Sequence, residues 1–275
     1  MYTIVSGDNL SKIAKKHGVS LVDLLAANPH YKADPNNIRI GDPVVIPAQA
    51  PAPVSVPAVE PEPEAAVEDD AFIVPFGQLT FDAEGLEQRG KYFSRSPHVP
   101  GPSSGITIGR GYDLGSRSAN EIIADLIAAG VDRAIAVRFG EGRGYKGQKA
   151  RNLIRRQQLD QIEITPQQQN DLFLITYQEL EGDVIRICSK HDIVEKYGQV
   201  NWNDLHAALR DITVDLRYRG DYTGATREVV QPMLVRNDLD DLKNVLADRN
   251  YWVTRYGVPP DRFKRRNEYL QKIAS

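Results

Sequence analysis

Between Ala48 and Asp70 the chain reads AQAPAPVSVPAVEPEPEAAVEDD, with five prolines, six acidic residues and no glycine, aromatic or basic residue. A packed core does not accept such a segment. Proline removes backbone donors and fixes φ, and the clustered carboxylates of Glu60, Glu62, Glu64, Glu68, Asp69 and Asp70 repel one another. The stretch is expected to be a semi-stiff spacer, up to roughly 70 Å long at ~3.1 Å per residue. It divides the chain into residues 1–47, a linker over 48–70, and residues 71–275.

The division changes the meaning of the net charge. The 34 Lys/Arg and 37 Asp/Glu give −3, yet residues 1–47 carry five bases and four acids, and residues 71–275 carry 29 and 27. Both flanking regions are slightly cationic, too weakly to imply nucleic acid. Cys188 is the single cysteine, so no internal disulfide and no Cys-paired zinc site is expected, and no HExxH replaces one. Neither a metal nor a cofactor is expected. The start, Met1-Tyr2-Thr3-Ile4-Val5-Ser6-Gly7-Asp8, has no basic n-region or apolar h-region, and no apolar run approaches ~18 residues. Synthesis in the cytoplasm without a signal peptide or membrane span is the expectation.

Within 1–47 the pattern reads β-α-α-β. Tyr2 and Ile4 alternate with Thr3 and Val5; Leu10, Ile13 and Ala14 share a helical face that ends at Gly18; Ser20 is placed to cap a helix carrying Leu21, Leu24 and Leu25. Ile38, Ile40, Val44, Val45 and Ile46 close the unit as a strand around Gly41. Residues 71–275 read mostly helical after an irregular first third. Leu79, Phe81 and Ala83 alternate like a strand, and Gly and Pro crowd residues 90–115. Later, Glu121–Ala129 is helical and Thr165-Pro166-Gln167-Gln168 opens a helix as a capping box. Apolar stripes at Phe173, Tyr177, Leu180, Val184, Ile187 and at Leu205, Ala208, Leu209, Ile212 read as core, and Asp261–Ala274 as a last helix.

The residues Val5-Ser6-Gly7-Asp8-Asn9-Leu10, Gly18-Val19-Ser20, Asn28-Pro29 and Ile38-Arg39-Ile40-Gly41-Asp42-Pro43-Val44 resemble a LysM module. The resemblance implies a βααβ fold that binds N-acetylglucosamine units of peptidoglycan or chitin. Its groove would run between Gly7, Asp8, Asn9, Leu10 on one side and Asn28, Pro29, Ile38 on the other. Glycine and asparagine loops suit an acetamido sugar, which needs exposed backbone donors and acceptors beside a small apolar floor. A turn and helix cap at Gly7-Asp8 would use the same residues.

Glycoside hydrolysis needs a carboxylic acid for the leaving oxygen and a second polar group for water or the sugar. Glu84-Gly85-Leu86 and, further on, Thr107-Ile108-Gly109-Arg110-Gly111-Tyr112-Asp113-Leu114-Gly115 offer these. Glycines 105, 109 and 111 around a β-branched run suggest a tight hairpin presenting Thr107 and Asp113 together. The two segments resemble the active-site region of phage-type lysozymes, and more closely a pesticin-type muramidase domain. Phage lysozymes place an aspartate ahead of the threonine, where this chain has Gly101; in the pesticin-type variant it follows, as Asp113 does. The resemblance implies Glu84 as general acid, Asp113 with Thr107 positioning water for inverting attack, and Tyr112 beside the substrate. Glu87 is an alternative acid, and Asp113 an alternative cap.

The fold class expected is α+β: a small βααβ LysM module joined to a mostly helical lysozyme-like domain over 71–275 with a short β-hairpin lobe. The activity expected is a monomeric muramidase acting on peptidoglycan glycan strands. It would be an antibacterial effector acting in the periplasm of a target bacterium, opposed by a cognate immunity protein. A phage endolysin and a non-catalytic peptidoglycan-binding adaptor are the alternatives. An amidase or endopeptidase would lack its usual zinc or Cys/His residues, and Cys188 and His191 read as core and helix-end residues.

Overall fold

The computed structural model describes residues 1–5, 7–19, 21–31, 38–47 and 69–273. The spacer expected over 48–70 lies almost wholly outside the described residues, as does the cap expected at Ser20. In chain order the elements are β1 (Tyr2–Thr3), α1 (Leu10–His17), α2 (Leu21–Ala27), β2 (Pro43–Val44), α3 (Gln78–Glu84), β3 (Thr107–Ile108), β4 (Tyr112–Asp113), α4 (Ala119–Ala128), α5 (Arg133–Gly140) and α6 (Gly147–Arg156). Then follow α7 (Pro166–Cys188), α8 (His191–Tyr197), α9 (Ala207–Arg219), α10 (Gly224–Arg236), α11 (Leu239–Ala247) and α12 (Pro260–Ile273). The chain forms two compact units, Met1–Pro75 with Gly85–Ile175, and Phe76–Glu84 with Thr176–Ser275.

In the first unit, β1 pairs antiparallel with β2, Tyr2 opposite Val44. Asn9 caps α1, its side chain accepting from the Lys12 N–H at 2.7 Å, and Gly18 ends it at φ 66°, its N–H bonding back to the last turn. Ile4, Leu10, Ile13, Leu24, Leu25 and Val44 are each no more than 2% exposed.

The rest of the first unit gathers around the β3–β4 hairpin. Ile106, Ile108, Tyr112 and Leu114 from the hairpin share one core with Ile122 and Leu126 of α4, Phe139 of α5, Leu153 of α6 and Leu172 of α7. Ser118 and Glu121 form a reciprocal capping box at α4. Thr165 and Gln168 do the same at α7: Gln168 N–H donates to Thr165 Oγ1 at 3.1 Å and Thr165 N–H to Gln168 Oε1 at 2.9 Å.

One buried carboxyl in this unit carries a pH dependence. Asp171 on α7 is 3% exposed. Burial is the main reason its pKa rises from 3.8 to about 7; the Gln167 amide at 3.1 Å pulls it down and the Asp23 carboxylate pushes it up. The folded chain therefore holds this proton more tightly than the unfolded one. The stability it supports is full below pH 4 and is lost as pH rises through about 7. Asp171→Asn is expected to be more stable than wild type by on the order of 2–4 kcal/mol at pH 8 and little changed at pH 4, by urea denaturation. An equal gain at both pH values would remove Asp171 ionisation as the cause.

In the second unit the expected stripes are buried apart from Leu180, which is half-buried. Val184 on α7 and Leu209, Ile212 and Leu216 on α9 are fully enclosed, with Val230, Leu242 and Trp252. Cys188 is buried beside the Tyr222 hydroxyl, and His191 opens α8.

The strand-like alternation at Leu79, Phe81 and Ala83 is overturned: these residues lie on α3. Thr80 is as fully buried as Phe81, so consecutive residues face inward and a short run cannot show the period. Gly77, at φ 72°, opens this helix where a Cβ would stand 2.5 Å from the Tyr177 ring, so a backbone turn only glycine fits precedes the helix.

Candidate functional site

Glu84 is the last residue of α3. Its Oε1 accepts from Arg262 Nη1 at 2.8 Å, and its side chain keeps 21% exposure. Arg262 has little left to give. Its Nε and Nη2 donate to Asp215 Oδ2 at 3.0 Å and Oδ1 at 2.5 Å. Asp215 also accepts from Arg266 Nε at 2.7 Å and Thr80 Oγ1 at 3.0 Å, and Arg266 Nη2 reaches Asp221 at 2.8 Å. Asp215 is 0% exposed and is shared by two guanidinium groups, and Glu84 receives a single hydrogen bond from Arg262. Burial consequently wins: the Glu84 carboxyl is raised above the ordinary glutamate value, Arg262 lowering it less than desolvation raises it, and Asp215 adding to the rise.

The hairpin sets Thr107 directly opposite Asp113 and Ile108 opposite Tyr112. Positive φ at Gly109 (62°) and Gly111 (85°) lets the chain reverse within three residues. Asp113 is clamped by backbone donors, Gly115 N–H to Oδ1 at 2.6 Å and Gly105 N–H to Oδ2 at 3.2 Å. Asp113 caps the short turn at Leu114–Ser116, its alternative reading from the sequence, and is half-exposed. A Cβ on Gly105 would stand 2.1 Å from Asp113 Oδ1 and 2.4 Å from the Gly115 nitrogen. Gly105→Ala is therefore expected to evict the Asp113 carboxylate and destabilise the first unit by ~1–3 kcal/mol, visible as a lowered melting midpoint. A wild-type midpoint would show that the hairpin accommodates the methyl group.

Structure separates the remaining candidates. Tyr112 is 1% exposed and its hydroxyl donates to Asp125 at 2.8 Å, so it is a core residue and not a sugar contact. Glu87, the alternative acid, is held by Arg95 at 3.1 Å and by Arg110 and Gln169 at 2.8 Å each, the arrangement of a structural anchor. Of the expected sugar-binding residues, Leu10 is wholly buried. Asn28 is spent on three hydrogen bonds to the Leu24 and Val45 backbones. Neither offers its side chain to a ligand. Asp8 accepts from the Val5 N–H, which chiefly holds it below the usual aspartate value against the opposing effect of burial, and from the Tyr2 hydroxyl, which adds to the lowering. Gly7 and Pro29 are exposed, and Asp8, Asn9 and Ile38 are half-exposed.

The sequence reading missed Arg262 and Asp215. Arg262 and Arg266 lie one helical turn apart, and Asp215 interrupts the apolar stripe of α9; an acid on that face is the signal that a polar partner must meet it. His98 exchanges both backbone hydrogen bonds with Thr107, at 2.9 and 2.8 Å, and the exposed Tyr92 ring meets it edge-on at 5.8 Å. Among the described residues, no group of three His, Cys, Asp or Glu could hold a metal ion, and no helix is long and apolar enough to cross a membrane.

Comparison with known proteins matches residues 77–267 to a family described as Domain of unknown function (DUF8812), and residues 2–47 to the LysM domain. An endolysin of Bacillus phage PZA is 58% identical over 40 residues, 14% of this chain and 15% of that relative.

Proposed function

We propose, from the premise that the chain belongs to the DUF8812 family and carries a LysM module, that it is a peptidoglycan hydrolase. Specifically, it is a muramidase that cleaves the β-1,4 bond between N-acetylmuramic acid and N-acetylglucosamine. The LysM module supports peptidoglycan as the ligand. The observation that carries the reaction is the Glu84 carboxyl, held off its usual ionisation by burial yet still partly open to solvent. A carboxylic acid in that state can deliver a proton to a glycosidic oxygen at a pH where an ordinary glutamate is already ionised.

The other roles follow from the resemblance. As Glu84 protonates the leaving oxygen, positive charge develops on the anomeric carbon; Asp113 with Thr107 holds a water for attack from the opposite face, and Asp113 accepts its proton. The cross-strand pairing supports this, because it sets Thr107 and Asp113 directly opposite each other. Attack by water inverts the anomeric configuration, whereas a carboxylate nucleophile would retain it. Proton NMR of the first-formed anomer separates the two. Digestion of purified sacculi followed by mass spectrometry tests the reaction: reducing-end muramic acid products support it, and cleavage at an amide or peptide bond would sink it.

Glu84 must be protonated, so the rate falls as pH rises through its pKa, and burial places that alkaline limb above the ordinary glutamate range. A limb at or below that range would remove Glu84 as the acid.

The setting proposed is antibacterial attack on a rival's wall, with an immunity protein in the producer. Toxicity on periplasm-directed expression, relieved by a neighbouring gene, is the expected result. A phage endolysin is the second reading, favoured by the relative of that name that matches over the LysM segment.

A further inference from the structure

The positive charge of residues 71–275 is not spread evenly. From Arg133 to Arg156 the chain carries eight Lys/Arg and one acid, Glu141, leaving 21 bases against 26 acids over the rest of that region. This run forms α5, the glycine-rich loop 141–146 and α6. Helix α6, GQKARNLIRR, contains no acid; Gly147, Ala150, Leu153 and Ile154 are its buried residues. At 100° per residue the opposite side presents two basic rows, Lys149 with Arg156 and Arg151 with Arg155, flanking Gln148 and Asn152.

Stability does not explain the pattern. Like charges one turn apart and cations in the first turn of a helix are both unfavourable, by a few tenths of a kcal/mol each. Arg138 does have a structural task, donating to the carbonyls of Gln157 and Gln158. Arg143, Lys146, Lys149 and Arg155, in contrast, make no ion pair among the described residues and are exposed. At the loop end a pocket of about 190 Å³ is lined by Glu141, Arg143, Tyr145 and Arg156. Arg156 lies 3.7 Å from Glu141, the single carboxylate there.

We infer that this face binds an anionic polymer whose repeating charge is a phosphodiester, with one phosphate seated between Arg143, Arg156 and the Tyr145 hydroxyl and the next ones along α6. Three of the five exposed cations on the loop and α6 are arginines, whose planar fork matches phosphate oxygens better than a point charge does. Rows along a helix ~15 Å long suit several charges in series rather than one small anion. A nucleic acid fits less well, because Tyr145 is the one exposed aromatic on this surface and successive bases would need a stacking series.

The full chain, titrated with fluorescent poly(glycerol phosphate) across 50–200 mM salt, is expected to show a log–log salt slope near −3, about −0.7 for each of four to five phosphates. The quadruple variant R143Q/K146Q/K149Q/R155Q should lose at least tenfold in affinity and most of the slope, with an unchanged melting curve. Glu141→Gln, which removes the repelling carboxylate and needs no repacking, should bind severalfold tighter. Arg143→Lys with Arg156→Lys should keep the slope but weaken binding. Equal binding by the quadruple variant overturns the inference, as does equal or tighter binding of poly-glutamate or of single-stranded DNA at matched charge. None of these outcomes depends on whether glycan strands are cleaved.

Discussion

Glu84→Gln is expected to cut the release of reducing-end muramic acid from sacculi by ~10²–10⁴-fold, the range of a positioned general acid. Glutamine keeps the hydrogen-bonding shape and can still accept from Arg262, so the buried network around Asp215 should survive and the melting curve should stay near wild type. Retention on sacculi should be unchanged, because LysM is a separate stretch of chain. That combination separates loss of chemistry from loss of fold. Activity within threefold of wild type would remove Glu84 from the reaction and leave a wall-binding adaptor as the better account.

Asp215→Ala is the substitution with the largest expected effect on stability, a loss of ~3–5 kcal/mol, because it strands the buried guanidinium groups of Arg262 and Arg266. The cause can be separated from simple cavity formation. If unpaired charge is the problem, a variant in which Asp215, Arg262 and Arg266 all become apolar should recover much of the loss, since well-packed apolar replacements of buried ion clusters are often tolerated. In whatever fraction of Asp215→Ala folds at low temperature, Arg262 is released to Glu84 alone and a neighbouring negative charge is gone. Both changes favour ionised Glu84, so the alkaline limb of activity should move to lower pH. A melting curve within 1 kcal/mol of wild type would show that solvent reaches the cluster.

Much of the local structure was legible. Gly18 ends α1, Thr165 and Gln168 box the start of α7, and Gly109 and Gly111 turn the hairpin that sets Thr107 opposite Asp113. Each is a short-range device in which one residue type meets a backbone requirement within four residues. The apolar stripes of α7 and α9 were legible for a related reason, because several turns of helix make a period visible.

The errors share another cause. Residues 79–83 are too few to show a period, and burial of Thr80 against Asp215 erased what alternation would have meant. Tyr112, Leu10 and Asn28 are residue types that serve a sugar site or a core equally well. Their allocation was decided by Asp125, by the module's apolar interior, and by the backbone at Leu24 and Val45.

The sequence by itself determined the LysM pattern, the helical character of 119–273 and the hairpin. Tertiary structure alone decided the environment of Glu84. Arg262 stands 178 positions away and Asp215 131 positions away in the chain. The balance between desolvation and their opposed charges depends on burial and distance in space, which a residue's neighbours along the chain do not encode.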